Sequence, residues 1–225
     1  DVYKRQDPLR RDEQSVLSTL VMLGKRDRTF VDVGAGYGRY TVRMAEFYAL
    51  VYAIEPLPEH LRILRKNIEI NNLDNVIILP FLAYDRKGEI PIYLNGLSSS
   101  CIKRPDMTDY ITVKADRLDN LIKNADVIKI DVEGAEFIVL KGAERLLKKD
   151  KPVLIIEHHD FRPDWKDTVG GTYQKIFEYM TSLGYVPLYL TYVHRCWIHK
   201  EKLSLEQNEG LYYVLWKHWF NMCCL

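Results

Sequence analysis

No apolar run in this chain approaches the roughly 18 residues that a membrane-spanning helix needs, and none of its four cysteines belongs to a Cys-x-x-Cys pair. The first absence excludes insertion of a helix into a membrane. The second removes the usual spacing of a zinc site, and because Cys101 and Cys196 stand alone while Cys223 and Cys224 are vicinal, no disulfide framework is suggested either. Such cysteine usage suits a reducing cytoplasm, which is the expected location. A surplus of charge is missing as well: the net charge is +1, without the strongly basic balance of a nucleic-acid-binding domain. The basic clusters Lys25, Arg26, Arg28 and Lys148, Lys149, Lys151 each adjoin a predicted helix end, where cations are favoured beside the last carbonyls. They read as solvated termini and not as an RNA footprint. The tail Met222-Cys223-Cys224-Leu225 lacks the spacing of a prenylation signal.

Repeats and low-complexity segments are also absent, and 225 residues suit one well-covered core. Residues 7–225 are therefore expected to form a single domain. Residues 1–6, Asp-Val-Tyr-Lys-Arg-Gln, resemble the translated end of a transposon used to tag DNA for sequencing; they are expected to be non-native, with the natural N-terminus truncated.

What is present is alternation. Short apolar runs bounded by turn residues occur at 29–33, 50–54, 75–80, 126–130, 152–157, 184–190 and 211–216. Helical patterns lie between several of them. Leu61, Leu64 and Ile68 recur at steps of three and four after Pro58, and Phe137, Leu140 and Leu147 share a face that ends on Lys148 and Lys149. Strand, helix, strand, repeated, predicts an α/β fold: a mostly parallel sheet with helices on both faces. The stretch 81–115 breaks the rhythm and reads as an inserted antiparallel pair, 88–95 with 109–116, around a polar loop.

Two segments suggest a nucleoside ligand. Val-Asp-Val-Gly-Ala-Gly-Tyr-Gly-Arg-Tyr-Thr, 31–41, follows a strand and opens a helix, the place where an open parallel sheet binds ligands. Gly34, Gly36 and Gly38 make G-x-G-x-G, whereas a dinucleotide fingerprint needs G-x-G-x-x-G and position 39 is Arg. Asp32 would repel a pyrophosphate but attract an ammonium, which favours S-adenosylmethionine over a nicotinamide dinucleotide. Tyr40, next along, is placed in the same site. Glu55 ends the following strand, where a carboxylate accepts both hydroxyls of a ribose; Pro56 and Leu57 offer an apolar surface to an adenine, and the backbone from Leu82 to Asp85, with Ala83, closes its other side.

The third segment, Ile128-Lys129-Ile130-Asp131-Val132-Glu133-Gly134-Ala135-Glu136, crowds four charges onto a strand end. Lys129 and Asp131 are two apart, so they share a face of the sheet and can keep each other ionised. Asp131 is a ligand for the cofactor or an acceptor for a substrate proton. Glu133 is a second catalytic candidate; Glu136 more simply suits a helix start. Glu157, His158, His159 and Asp160 follow the next strand, and since neighbours on an extended segment point opposite ways, one histidine faces the substrate. His158 is chosen as general base. The carboxylates show no recognisable oxygen-ligand pattern, and no metal is expected.

The segment from Ile128 to Glu136, with the following Phe-Ile-Val-Leu-Lys-Gly-Ala-Glu-Arg-Leu-Leu and the order of the motifs above, resembles the FkbM family of S-adenosylmethionine-dependent O-methyltransferases over about residues 28–160. The resemblance implies a Rossmann-like class I methyltransferase fold with a seven-stranded sheet whose last strand is antiparallel. It also implies transfer of a methyl group to a hydroxyl of a sugar, glycolipid or other small molecule. The acidic stretch at 131–136 suits loss of a hydroxyl proton better than binding of a neutral amine. A nicotinamide-dependent oxidoreductase and a non-catalytic binding scaffold remain as alternatives. The loop 95–109 and residues 161–175, with Trp165 and Tyr173 able to stack on a sugar ring, are expected to cover the pocket.

Overall fold

The computed structural model describes residues 11–105, 107–159 and 173–203. The parallel core of the sheet is built from β1 (Thr29–Val33), β2 (Leu50–Ile54), β3 (Val76–Leu79), β7 (Val127–Ile130) and β8 (Val153–Glu157). A hairpin of β9 (Tyr185–Tyr189) and β10 (His194–His199) completes it in the order β3-β2-β1-β7-β8-β10-β9. Every pair is parallel except those that β10 makes with β8 and β9. The order reverses between β1 and β7, and a crevice opens there at the carboxyl ends of the strands. A smaller sheet, β4 (Leu82–Ala83), β6 (Tyr110–Asp116) and β5 (Gly88–Tyr93), sits beside it, with β5 and β6 antiparallel as predicted.

Alternation along the strands divides the interior in two. Phe30, Val51, Val127, Val153 and Ile155 turn to one face and meet Val16, Leu20 and Leu23 of α1 (Arg11–Leu23) and Met44 of α2 (Arg39–Met44). Val31, Val33, Ile128, Ile130, Leu154 and Ile156 turn to the other. They are covered by α5 (Glu136–Lys141), α6 (Glu144–Lys149) and α7 (Tyr173–Ser182), together with α4 (Leu118–Leu121). The remaining helix, α3 (Pro58–Ile70), starts on Pro58 and buries Leu61 and Leu64. Among the described residues no helix is long and apolar enough to cross a membrane.

Two expectations change. Among the described residues the last strand is His194–His199, which sequence alone does not single out because histidines open and close it and Arg195 interrupts it; the predicted strand 211–216 lies outside the described residues, as do residues 1–6. The helical pattern at 134–149 is two helices. They meet at Gly142, whose backbone lies against the carbonyl of Tyr84, where a Cβ would come within 1.9 Å of the oxygen. Its φ of −79° is ordinary, so the constraint is space and not conformation. On an exposed helix Gly→Ala would stabilise by about 1 kcal/mol. Here Gly142→Ala is expected to cost about 2 kcal/mol or more, read from chemical denaturation; a neutral or stabilising change would contradict this packing.

Candidate active site

The ends of β1, β2, β7, β8 and β10 surround a cavity of about 490 Å³, within the range of small-ligand sites. Its floor depends on the approach of two chain segments. Gly34 (φ 80°) follows β1 so close to the end of β7 that a Cβ would lie 1.9 Å from the Asp131 carbonyl oxygen. Only glycine permits that contact in that conformation. The turn is then fixed by Glu55, whose Oε2 accepts from Gly36 N–H and whose Oε1 accepts from Leu57 N–H, each at 2.9 Å. His60 Nδ1 lies 3.3 Å from the same Oε1. A carboxylate has room for about four hydrogen bonds, so Glu55 keeps acceptor capacity toward the cavity it lines.

Gly34, Gly36, Tyr40, Glu55, Pro56, Asp131 and Glu133 all line this cavity, together with part of the 95–109 loop, Leu97 to Cys101. Ser100 ties that loop to the site by donating its hydroxyl to the Glu133 carbonyl at 2.7 Å.

Asp32 is placed differently from the expectation. It is buried on the α1/α2 face beneath the glycine turn, off the cavity wall, and Oδ2 accepts from the Thr41 hydroxyl at 2.6 Å and from Thr41 N–H at 3.0 Å. It thereby caps α2, whose preceding residue Gly38 has no side chain for the purpose. Its other oxygen, Oδ1, has no hydrogen-bond partner, and burial pushes its carboxyl up. Of the stretch expected to close the adenine side, Leu82 lines the cavity while the Ala83 side chain packs into the core, since adjacent strand residues point opposite ways.

Lys129 is opposite Asp32 in the β1–β7 register and is 2% exposed. Its Nζ lies 3.2 Å from Asp131 Oδ2 and 4.5 Å above the Tyr40 ring. Burial works against its charge, but Asp131 and Asp32 hold the ammonium above the usual lysine value. Asp131 is itself raised to about 6, by burial and by the neighbouring Glu157, with Lys129 opposing.

The two histidines separate. His158 points away from the cavity into aromatic packing, 4.9 Å from the Tyr173 ring and 6.4 Å from that of Trp197, and burial lowers it to about 3. The choice of His158 as base is therefore corrected. A neutral imidazole in that position does not reach the cavity, and Tyr173 packs against it instead of covering the pocket. Trp165 lies outside the described residues. His159 takes the opposite direction. Its Nδ1 is 2.9 Å from Glu136 Oε1, and its Nε2 lies 3.3 Å from Glu133, 3.7 Å from Glu157 and 3.8 Å from Asp131. Burial would lower it; Glu136 and Glu133 outweigh burial and raise it to about 11. Glu136 is no exposed helix-start carboxylate: it is buried and also accepts from Gly134 N–H at 3.0 Å. Donor atoms of Asp131, Glu133 and His159 lie within 4.8 Å of one another, a set that fits a hard divalent cation as well as a proton on His159. Sequence reasoning missed His194, which enters the site because β10 pairs it with Glu157, Nε2 to Oε2 at 3.4 Å.

With this geometry in hand, comparison with known proteins gives one family and a shared fold. The methyltransferase FkbM domain matches residues 32–187. The hexuronic acid methyltransferase AglP of Haloferax volcanii is 27% identical over 158 residues, covering 68% of this chain and 65% of its own length. The crystal structure of a methyltransferase FkbM from Methylobacillus flagellatus KT superposes with a TM-score of 0.55 at 20% identity, over 88% of this chain and 47% of that one. An rRNA methylase from Streptococcus thermophilus gives 0.50 at 12% identity, over 85% and 96%. The chain thus spans less than two thirds of the first two relatives. Since an rRNA methylase shares the fold, the fold by itself does not separate small acceptors from nucleic acid, and the expectation of no nucleic-acid partner is left without support from the comparisons.

The opposite environments of the adjacent histidines give a direct test. His158 has a folded value below the unfolded one near 6.5, so unfolding takes up a proton and stability falls as pH drops from about 6.5 toward 3. For His159 the sign reverses: its stabilisation is full below about 6.5 and fades as pH rises toward about 11. Nitrogen-15 NMR of the imidazoles should find His159 still protonated at about pH 8 and His158 still neutral at about pH 5. Two histidines titrating together near their ordinary value would contradict the placement.

Proposed function

The chain belongs to the methyltransferase FkbM family, and from that premise we propose that it is an S-adenosylmethionine-dependent O-methyltransferase acting on a hydroxyl of a sugar or other small molecule. The observation that carries this is an ionisable carboxylate, Asp131, facing the cavity beside the glycine turn that Glu55 fixes. Glu55 would hold the ribose of the donor, with Pro56 and Leu57 against its base. The anionic wall suits a sulfonium, and no phosphate-binding run of N–H groups is needed.

The donor supplies an already activated methyl group. The chain's own residues then have two tasks, alignment and removal of the acceptor proton. Alignment alone can contribute roughly 7 to 11 kcal/mol. For the proton, a carboxyl raised to about 6 is largely ionised at neutral pH yet more basic than an ordinary aspartate, the compromise a general base needs. Lys129 keeps Asp131 oriented from beneath, and His159 gathers Glu133 and Glu157 around it. In this proposal Glu133 assists Asp131, and the proton on His159 does the work that a metal ion would do. The hexuronic acid relative supports a sugar as acceptor.

Mass spectrometry of hydroxylated metabolites incubated with isotopically labelled S-adenosylmethionine is expected to find a labelled methyl ether. Absence of any such product while S-adenosylhomocysteine still binds would leave a scaffold and no enzyme. Asp131→Asn is expected to reduce turnover by about 10²-fold or more with little change in S-adenosylhomocysteine affinity; retained turnover would remove Asp131 from the chemistry. Turnover is also expected to survive exhaustive chelation, and a loss restored by Mg²⁺ would instead place an ion among Asp131, Glu133 and His159.

A further inference from the structure

We propose that the acceptor is an uncharged sugar, and that the cavity turns away acidic sugars by charge; this rests on the methyl-transfer reading above. The observation is the charge of the wall. Glu13, Glu55, Asp131, Glu133 and Glu157 line the cavity, and the permanent cations lining it among the described residues are Arg39 and Lys129. Each of those cations already faces a carboxylate, Arg39 through Nη1 to Glu13 and Lys129 through Nζ to Asp131. The histidines of the wall do likewise, His60 with Glu55 and His194 with Glu157.

Recognition of a sugar carboxylate calls for a guanidinium or ammonium able to take it, most effectively as a bidentate pair. The described wall has committed its cations to its own acids; with the His159 imidazolium behind the wall counted as well, acids still outnumber cations, and the sulfonium of a bound donor offsets one of the two negative charges left over. Neutral polar groups serve hydroxyls instead. Ser98 and Tyr37 line the same cavity, and Tyr192, 66% exposed, offers a ring face for a sugar to stack on. Glu133 and Glu157, which converge with Asp131 on His159, lie where the reacting hydroxyl must come. An acidic substituent on the same ring would therefore sit within a few ångströms of like charge.

Glu13 is the specificity-determining residue most open to test, because it belongs to α1 and not to the catalytic cluster. The experiment offers the protein p-nitrophenyl β-glucoside and p-nitrophenyl β-glucuronide, which differ only at C6, in competition for labelled S-adenosylmethionine. Binding of the two to the S-adenosylhomocysteine-loaded protein is followed in parallel by saturation-transfer NMR. The glucoside is expected to be favoured at least about tenfold in both readouts, a gap that narrows at about 0.5 M salt and in the Glu13→Gln variant. Preference for the glucuronide, or a gap unmoved by both salt and Glu13→Gln, overturns the inference. Selective binding of the glucoside without methylation of either sugar would uphold the charge filter while sinking the methyl-transfer reading. Binding without preference and without methylation would sink both.

Discussion

A buried lysine organises the centre of this molecule. Lys129 lies on β7 between Asp32 on the neighbouring strand and Asp131 two residues ahead, and each neighbour is there because strand register and two-residue alternation leave no other place for it. Removing Lys129 would leave Asp32 and Asp131 without the cation they share, a loss of several kcal/mol. The constraint reaches outward in both directions. Through Asp32 it fixes Thr41 and the start of α2; through Asp131 it sets the floor of the cavity. The glycine turn can then be shaped for close backbone approach, since the charges that position it come from below.

Around that centre the acids are sorted by what they face. Glu136 is spent on backbone N–H groups and His159, and Glu55 on the glycine turn. Asp131, Glu133 and Glu157 are left at the cavity, held together by an imidazolium and not dispersed by their mutual repulsion. Two adjacent histidines thus have opposite fates because one step along the chain changes the side of the strand end on which a ring emerges. His158 stays neutral among aromatic rings, while His159 stays charged among acids.

Much of this was legible in the sequence for a physical reason. Parallel strands buried on both faces read as continuous apolar runs, so β1, β2, β7 and β8 were visible, and a G-x-G-x-G turn between strand and helix announces close backbone approach. The Lys129–Asp131 pair followed from alternation alone. What escaped were features set by tertiary contact. The strand 194–199 hides because its polar ends are satisfied by Glu157 and by the hairpin with β9. The choice between His158 and His159 depends on which partner each ring finds, and Asp32 moved off the wall because Thr41, nine residues on, reaches back to it. The need for glycine at 142 depends on the Tyr84 carbonyl, which no helical periodicity announces.

The central claim is that the turn fixed by Glu55 and the carboxylates gathered at the strand ends together form a donor site. A crystal structure of the protein with S-adenosylhomocysteine tests it most directly. The account predicts the ribose hydroxyls on Glu55 and the sulfur on the Asp131 side of the cavity. Ligand density outside this cavity, or a ribose that does not touch Glu55, would contradict it.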